Sequence, residues 1–285
     1  MNRKFPVVAL TATKQNERVL SIASQCNEVL SSTGVKVLID KNLSKLKSND
    51  LGVSSFEKII LESSLIIAIG GDGTILNCSR KYGSKGVPVL GINLGNLGFL
   101  ADIDPKDITS SLLKISEGEF IKDDRFFLQG SIKGRKRNFL ALNEIVIHSG
   151  KIAKLIEFNL FINDSFVYTQ KADGLIISSP TGSTAYSLSG GGPIVHPDVS
   201  TIIIVSMLPH NLSTSPLLVE ANSEIQVDLV KQKAVLSFDS HENISLRGNS
   251  TININKAESC LTLIHPHDQD FFASCRNKLG WSSGL

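Results

Sequence analysis

The chain has 285 residues, of which 41% are hydrophobic and 20% are charged. These proportions are typical of a globular protein with a full core, and they exclude extended disorder. The formal net charge of +2 is too small to predict a nucleic-acid partner. The apolar runs have the length of strands, so we expect neither a membrane-spanning segment nor a membrane partner.

The first part of the chain alternates short apolar runs with helical patterns. Strands are predicted at residues 7–10, 35–39, 65–69 and 87–92. Between the first two, apolar residues recur at intervals of three and four from Val19 to Leu30, which indicates one buried helix face. Further helices are predicted at 75–82 and 105–118. This alternation predicts a Rossmann-like α/β domain with a parallel sheet over residues 1–123.

From residue 124 the pattern becomes mainly β. Short alternating runs bounded by Asn, Asp, Gly or Ser predict strands at 143–148, 157–162, 201–205, 224–230, 234–238, 250–255 and 260–264. We therefore expect a second, β-rich domain over residues 124–268. The tail at 269–285 is helical in pattern, and we expect its helix to pack back on the first domain. The basic run at 133–137 is interpreted as a hairpin tip because its flanks alternate like strands.

The cysteines and histidines favour structural roles over metal binding. Cys26, Cys78, Cys260 and Cys275 lack the Cys-x-x-Cys spacing of metal sites, and no secretory segment is recognised. We expect reduced thiols in a cytoplasmic protein. The His-Pro-His-Asp run at 265–268 does not put both rings on one helix face, so it is interpreted as a turn at a strand end. No protein-held metal is predicted.

A glycine-rich tract, Ile-Gly-Gly-Asp-Gly-Thr, follows the apolar run at 65–69. Glycines allow backbone N–H groups to close on a phosphate, and a helix behind them adds its positive end. Asp72 puts a carboxylate in this loop, at the sheet edge where open α/β folds bind ligands. Such a group can accept a proton from a hydroxyl or hold a divalent cation. The tract predicts a phosphoryl-transfer enzyme, although taken alone it could be a strand-to-helix turn.

A second tract, residues 180–193, follows the apolar run at 174–177. Hydroxyl side chains cluster there around Tyr186, between glycines and two prolines, at Thr181, Ser183, Thr184, Ser187 and Ser189. Small hydrogen-bonding groups at this density favour a polar ligand over a surface loop. Asn143-Glu144 opens one predicted strand, and Lys171 and Asp173 precede another apolar run. From pattern alone, each pair is interpreted as a turn or strand-end pair.

Taken together, these segments resemble NAD kinases of the bacterial type. The matching elements include Gly-Gly-Asp-Gly-Thr at 70–74, Leu-Asn-Glu at 142–144 and Lys-Leu-Gly-Trp at 278–281. The others are residues 93–95, 98–100, 151–154, 156–158, 172–175, 180–189, 191–194 and 209–212. They follow the family's order from about residue 65 to 281, and the second tract is the most specific of them.

The resemblance implies transfer of a phosphoryl group to the adenosine-ribose 2′-hydroxyl of NAD, giving NADP. The donor would be ATP, or inorganic polyphosphate in some members, with a divalent cation, usually Mg2+, delivered with ATP. It also implies a homo-oligomer, with a tetramer favoured over a dimer. A lipid or sugar kinase that shares the aspartate loop and a non-catalytic NAD-binding sensor are the alternatives.

The family's residue roles carry over to matching positions. Asp72 would be the catalytic base, and Gly73 would let substrate approach the backbone. Asn143 would contact the adenine edge and Glu144 the sugar hydroxyls. The remaining nucleotide-binding residues implied by the resemblance are Phe99, Lys154, Lys171, Asp173, Thr181, Thr184, Ala185, Tyr186, Ser187, Leu188, Ser189 and His241.

Overall fold

The computed structural model describes residues 4–46, 52–95, 98–151, 154–211, 214–267 and 269–281. Ile152, Ala153, Leu212 and Asp268, which belong to motifs of the sequence, lie outside the described residues. The chain divides into two compact units. Unit 1 contains residues 1–124 and 259–285, and unit 2 contains residues 125–258. No described helix is long and apolar enough to cross a bilayer.

Unit 1 begins with alternating strands and helices. Its elements are β1 (Val7–Ala12), α1 (Glu17–Ser32), β2 (Lys36–Asp40), β3 (Val53–Ser54), α2 (Phe56–Glu62), β4 (Leu65–Ile69), α3 (Asp72–Lys81), β5 (Val89–Ile92) and α4 (Ile108–Glu117). The strands pair in parallel in the order β3-β2-β1-β4-β5. This arrangement confirms the α/β domain with a parallel sheet.

One face of the parallel sheet is covered by α1 and α4. The buried residues of α1 are Val19, Ile22, Ala23, Cys26 and Leu30, which follow the helical period of the sequence. They pack with Ile108, Leu112 and Ile115 of α4 on strand residues such as Leu10 and Ile67. Asn16 begins α1 by accepting a hydrogen bond from the Val19 N–H. The apolar stripe and the cap together explain why this segment is helical.

Unit 2 is mainly β. A long strand, β6 (Ile121–Ile132), enters it, and the elements that follow are β7 (Phe139–Ala141), β8 (Glu144–His148), β9 (Ile156–Ile162), β10 (Ser165–Ala172), β11 (Gly174–Ser178), α5 (Tyr186–Ser189), β12 (Thr201–Met207), β13 (Leu217–Glu220), β14 (Ile225–Leu229), β15 (Ala234–Phe238) and β16 (Glu242–Leu246). One antiparallel sheet has the order β13-β12-β11-β8-β15-β16. The basic run at 133–137 lies in the turn between β6 and β7, as predicted.

The chain ends with β17 (Thr251–His265) and α6 (Phe271–Leu279). The beginning of β17 pairs antiparallel with β14 in unit 2, and its end pairs in parallel with β5 in unit 1. In unit 2, β9 and β14 face the six-stranded sheet across a shared core that contains Phe158, Val227 and Ile177. In unit 1, the Phe271 ring of α6 packs beside the Phe99 ring. The C-terminal helix therefore returns to the first unit, as predicted.

Candidate active site

Asp72 is the first residue of α3, directly after the loop that leaves β4. The backbone N–H groups and dipole of a helix start favour a negative charge at this position. The loop is tight, because a side chain on Gly70 would overlap Thr74, whose Cβ lies 2.6 Å from the site of a Gly70 Cβ. Glycine is therefore required at position 70 for steric reasons, and the tight loop places the Asp72 carboxylate at the carboxyl edge of the parallel sheet.

Within the described part of the chain, three donors contact the Asp72 carboxylate. The N–H groups of Phe99 and Leu100 donate to Oδ2 and Oδ1, at 3.0 and 3.1 Å. The Nζ of Lys278 lies 3.1 Å from Oδ2. The same ammonium group lies 4.7 Å from the centre of the Phe99 ring. The side chains of Asp72 and Lys278 stay 30% and 28% exposed, so this charged pair is within reach of a ligand.

A cavity of about 440 Å³ lies beside the same loop in unit 1. Its wall includes the glycines of the loop, and Lys14 and Asn16 face it from the start of α1. Backbone N–H groups at a helix start, together with a lysine, suit an anionic ligand. The cavity thus offers room for phosphate groups near Asp72.

The segment that caps Asp72 is anchored by a buried histidine. Asp102, two residues beyond Leu100, contacts Nδ1 of His265, and Asp123 lies 3.2 Å from Nε2. Burial opposes a charge on His265, but the hydrogen bonds and charges of the two aspartates outweigh it and raise its pKa to about 9. The ring is therefore protonated at neutral pH. This is the structural role at a strand end that the sequence indicated.

In unit 2, the start of β8 is held by one carboxylate. Asp239 accepts hydrogen bonds from the N–H groups of Leu142, Asn143 and Glu144 at 2.9, 2.8 and 3.1 Å. Asp239 has a φ of 46° in the turn between β15 and β16, a conformation that aspartate tolerates better than most residues. The Asn143-Glu144 pair is therefore oriented by a residue almost a hundred positions away.

Asn143 and Glu144 carry polar atoms that the protein does not satisfy. Asn143 Oδ1 and Glu144 Oε2 are buried and have no hydrogen-bond partner among the described residues. Burial, and then the charge of Asp239, raise the pKa of Glu144 to about 8, against an N–H donation from Tyr186. Buried polar groups are nearly always paired in native proteins. Two such atoms on adjacent residues indicate a polar ligand at this position.

The second tract forms a 3-10 turn, Thr181–Thr184, followed by α5. Two of its hydroxyls have protein partners: Thr181 accepts from Arg125 at 3.1 Å, and Ser183 bonds to the backbone of Val195. Ser187 is buried with no partner for Oγ. The side chains nearest to solvent are those of Tyr186 and Ser189, while Thr184, Ala185 and Leu188 are half-buried.

The other predicted residues of unit 2 lie on strand ends and turns. Lys171 pairs with Glu157 at 3.7 Å and lines a cavity of about 640 Å³. The Asp173 N–H donates to the Met207 carbonyl at 2.9 Å, and Lys154 and His241 are exposed. Asp72, Gly73 and Phe99 belong to unit 1, whereas every other predicted site residue belongs to unit 2.

Sequence patterns do not identify the role of two residues in this chemistry. Lys278 stands out only within the Lys-Leu-Gly-Trp motif, and Asp239 only as part of a turn next to His241. Each acts on a residue far away in the chain, so no local pattern connects them with Asp72 or Glu144. A lysine in the last turn of the C-terminal helix, and an aspartate in a tight turn, are the available signs.

Comparison with known protein families finds the two domains of one family in this chain. The ATP-NAD kinase N-terminal domain matches residues 8–120, and the ATP-NAD kinase C-terminal domain matches residues 142–266. The chain belongs to the NAD kinase family. The NAD kinase of Marinobacter nauticus is 38% identical over 99% of this chain and 98% of its own length. That of Teredinibacter turnerae is 41% identical over 89% of each chain.

Solved NAD kinase structures share the fold. Yeast NADH kinase, crystallised with NADH, superposes with a TM-score of 0.90 at 26% identity, and the match covers 100% of this chain and 93% of that one. An NAD kinase from Archaeoglobus fulgidus in complex with ATP has a TM-score of 0.76 at 25% identity, covering 98% and 99%. These matches, together with the α/β and mainly β parts and the C-terminal helix of this chain, confirm the predicted fold class of this NAD kinase family member.

Proposed function

We propose that the protein transfers the terminal phosphoryl group of ATP to the 2′-hydroxyl of the adenosine ribose of NAD, producing NADP and ADP. Membership of the NAD kinase family supports this reaction. The observation that carries its chemistry is the Asp72 carboxylate, which is partly exposed at a helix start beside a cavity large enough for phosphates. Membership of the family also favours this reaction over a lipid or sugar kinase.

Asp72 is proposed as the general base. Its carboxylate takes the proton of the 2′-hydroxyl as that oxygen bonds to the terminal phosphorus and the bond to ADP breaks. Phosphoryl transfer depends mainly on positioning and charge neutralisation, which the loop N–H groups and Lys14 are suited to provide. Gly73 supports close approach of the substrate, because the space where its Cβ would stand is open.

Asn143 and Glu144 are proposed to bind the nucleotide. The unpartnered Asn143 Oδ1 suits the exocyclic amine of adenine, which is a hydrogen-bond donor. With a pKa of about 8, Glu144 is mostly protonated at neutral pH and can both donate to and accept from sugar hydroxyls. Residues of the second tract are proposed to complete the adenine and ribose pocket: Thr181, Thr184, Ala185, Tyr186, Ser187, Leu188 and Ser189.

The remaining roles follow the family resemblance. Phe99 is proposed to close over the substrate, and Lys154 to lie near phosphate. Lys171 and Asp173 are proposed to line the nucleotide site, and His241 to contact the nucleotide. Each of these assignments is tested by an alanine variant whose KM for NAD rises while its KM for ATP stays unchanged.

A divalent cation, Mg2+, is proposed to arrive with ATP. Mg2+ prefers hard oxygen ligands and commonly binds substrate phosphates. The two Asp72 oxygens already accept from two N–H groups and an ammonium group, so the carboxylate fits a hydrogen-bonding role better than a role as the cation's main ligand. When bound, the cation neutralises charge on the phosphates.

We also propose a homo-oligomer, with a tetramer favoured over a dimer, in the cytoplasm. Exposed apolar side chains on edge strands of unit 2, Phe166 on β10 and Leu218 on β13, support association between copies. All four cysteines are free thiols, which supports a reducing compartment. Native mass spectrometry measures the number of copies directly.

The test is NADP formation from NAD, ATP and Mg2+ by the purified chain and by Asp72→Asn. We expect turnover to fall by about 10²–10⁴-fold in the variant. Asp198→Asn, at an 83% exposed aspartate, is the matched control and should keep wild-type turnover. Absence of NADP from the wild type with either ATP or polyphosphate, while NAD still binds, would instead establish the NAD-binding sensor.

A further inference from the structure

Lys278 is a cation that the C-terminal helix brings to the proposed base. The pair is 206 positions apart in the chain, and its Nζ–Oδ2 distance is 3.1 Å. The ammonium group also lies over the Phe99 ring, whose own backbone N–H donates to the same oxygen. Lys278 therefore contacts both the carboxylate and the segment that caps it.

The helix presents Lys278 by a regular spacing. Phe271, Cys275 and Lys278 follow one another at intervals of four and three, which puts them on one face of α6. Cys275 is buried and Phe271 packs beside Phe99, so this face is fixed against unit 1. Gly280, with a φ of 68°, ends the helix directly afterwards. A lysine in the last turn is also favoured by the helix dipole.

The contacts made by the described residues leave one acceptor position on the carboxylate. A carboxylate has two oxygens and about four lone-pair positions in total. The Phe99 N–H and Lys278 occupy those of Oδ2, and the Leu100 N–H occupies one of Oδ1. Oδ1 thus accepts from one described donor, against two for Oδ2, and is the oxygen we assign to a further donor such as a substrate hydroxyl. Lys278 thereby helps to decide which oxygen accepts the proton.

We propose that Lys278 is a positioning residue for catalysis, which holds the Asp72 carboxylate in the orientation that receives the hydroxyl proton. This inference rests on the proposed kinase function. Without the ammonium group, Oδ2 loses its charged partner and the carboxylate can rotate about its side-chain bonds. The base is then correctly oriented for a smaller fraction of the time, which lowers kcat and leaves substrate binding intact.

The experiment measures kcat and the KM values for NAD and ATP in Lys278→Met, Lys278→Arg and a matched control on the same helix. Arg276→Met is the control, because Arg276 pairs with Asp270 on the exposed side of α6. We expect Lys278→Met to lower kcat by about 10-fold with both KM values within about 2-fold of wild type. Lys278→Arg should recover most of the loss, and Arg276→Met should match wild type.

The decisive measurement repeats Lys278→Met in the Asp72→Asn background, with residual NADP detected by enzymatic cycling. If Lys278 acts through Asp72, the second substitution causes no further loss. A further loss of about 10-fold in that background would overturn the proposal, because Lys278 would then act on the substrate or on the fold. Wild-type turnover in Lys278→Met would overturn it equally.

Folding is controlled separately. If Lys278→Met lowers Tm by more than the Arg276→Met control, Lys278→Leu takes its place in both backgrounds, because leucine has high helix propensity and no hydrogen-bond donor. The same outcomes then decide. A wild-type protein that makes no NADP would refute the proposed function, whereas a normal wild type with an unaffected Lys278→Met refutes only this inference.

Discussion

The backbone at Gly98 leaves no room for a side chain beside Asp72. A Cβ built on Gly98 would overlap Asp72 Oδ1, and it would lie 3.0 Å from Cγ and 3.1 Å from the Ala101 nitrogen. Because backbone lies on the other side, the carboxylate must move, and Oδ1 shifts by more than about 1 Å before an ordinary contact is restored. A displacement of that size at a catalytic group can cost about 10²-fold in rate.

We therefore expect Gly98→Ala to lower the kcat of NADP formation by about 10²-fold. The added methyl group should also lower the free energy of unfolding, by about 1–3 kcal/mol. Gly52→Ala is the matched control, because the space around a Gly52 Cβ is open and its φ is permissive, and it should keep wild-type kinetics. Turnover and Tm within error of wild type for Gly98→Ala would show that the capping segment does not constrain the carboxylate.

Three further predictions concern the buried ionisable groups. The Glu144 carboxyl, with a pKa raised to about 8, stabilises the fold fully below its ordinary pKa of 4.5, and this contribution is lost as pH rises through 8. Each pH unit between the two pKa values lowers the free energy of unfolding by about 1.4 kcal/mol. In Glu144→Gln this loss of stability between pH 5 and 8 should disappear. Tm is measured across this pH range, and an equal dependence of Tm on pH in wild type and variant would contradict the raised pKa of Glu144. Asp239→Ala removes the acceptor of three N–H groups and should lower the free energy of unfolding by about 2–4 kcal/mol, with a raised KM for NAD; urea unfolding and kinetics test both. His265→Gln removes the cation that Asp102 and Asp123 share and should lower the free energy of unfolding by about 3 kcal/mol at pH 6. The pKa of His265 is raised to about 9, so its ion pairs contribute fully below pH 6.5 and are lost as pH rises through 9. The difference in unfolding free energy between wild type and variant should therefore shrink toward pH 10. A difference that stays constant with pH would refute the ion pairs.

Much of the fold follows from periodicity in the sequence. The α1 stripe, the buried run of β4 and the glycine loop after it each depend on neighbours within a few residues, so local pattern is sufficient to predict them. The pattern predicts the start of α3 at residue 75, but the helix begins at Asp72. Glycine and aspartate have low helix propensity, and the tight strand-to-helix turn overrides that preference.

The β-rich unit is harder to predict. The pattern indicates two separate strands at 250–255 and 260–264, whereas the structure contains one strand from Thr251 to His265. Lys256, Glu258 and Ser259 interrupt the apolar alternation there. The segment is nevertheless one strand, because its two ends pair with different partner strands. The strand β10 (Ser165–Ala172) is not predicted, because most of its side chains are exposed and give no apolar alternation.

The sequence by itself determined the class of the two halves, the aspartate in its glycine loop and the hydroxyl-rich tract. Each of these features depends on residues that are adjacent in the sequence or one helical turn apart. Only the tertiary structure decided which donors surround each carboxylate: Lys278 reaches Asp72 across 206 positions, and Asp239 reaches Leu142 across 97. Such pairs form only when tertiary packing brings distant strands and helices together, and the local periodicity of the sequence does not predict that packing.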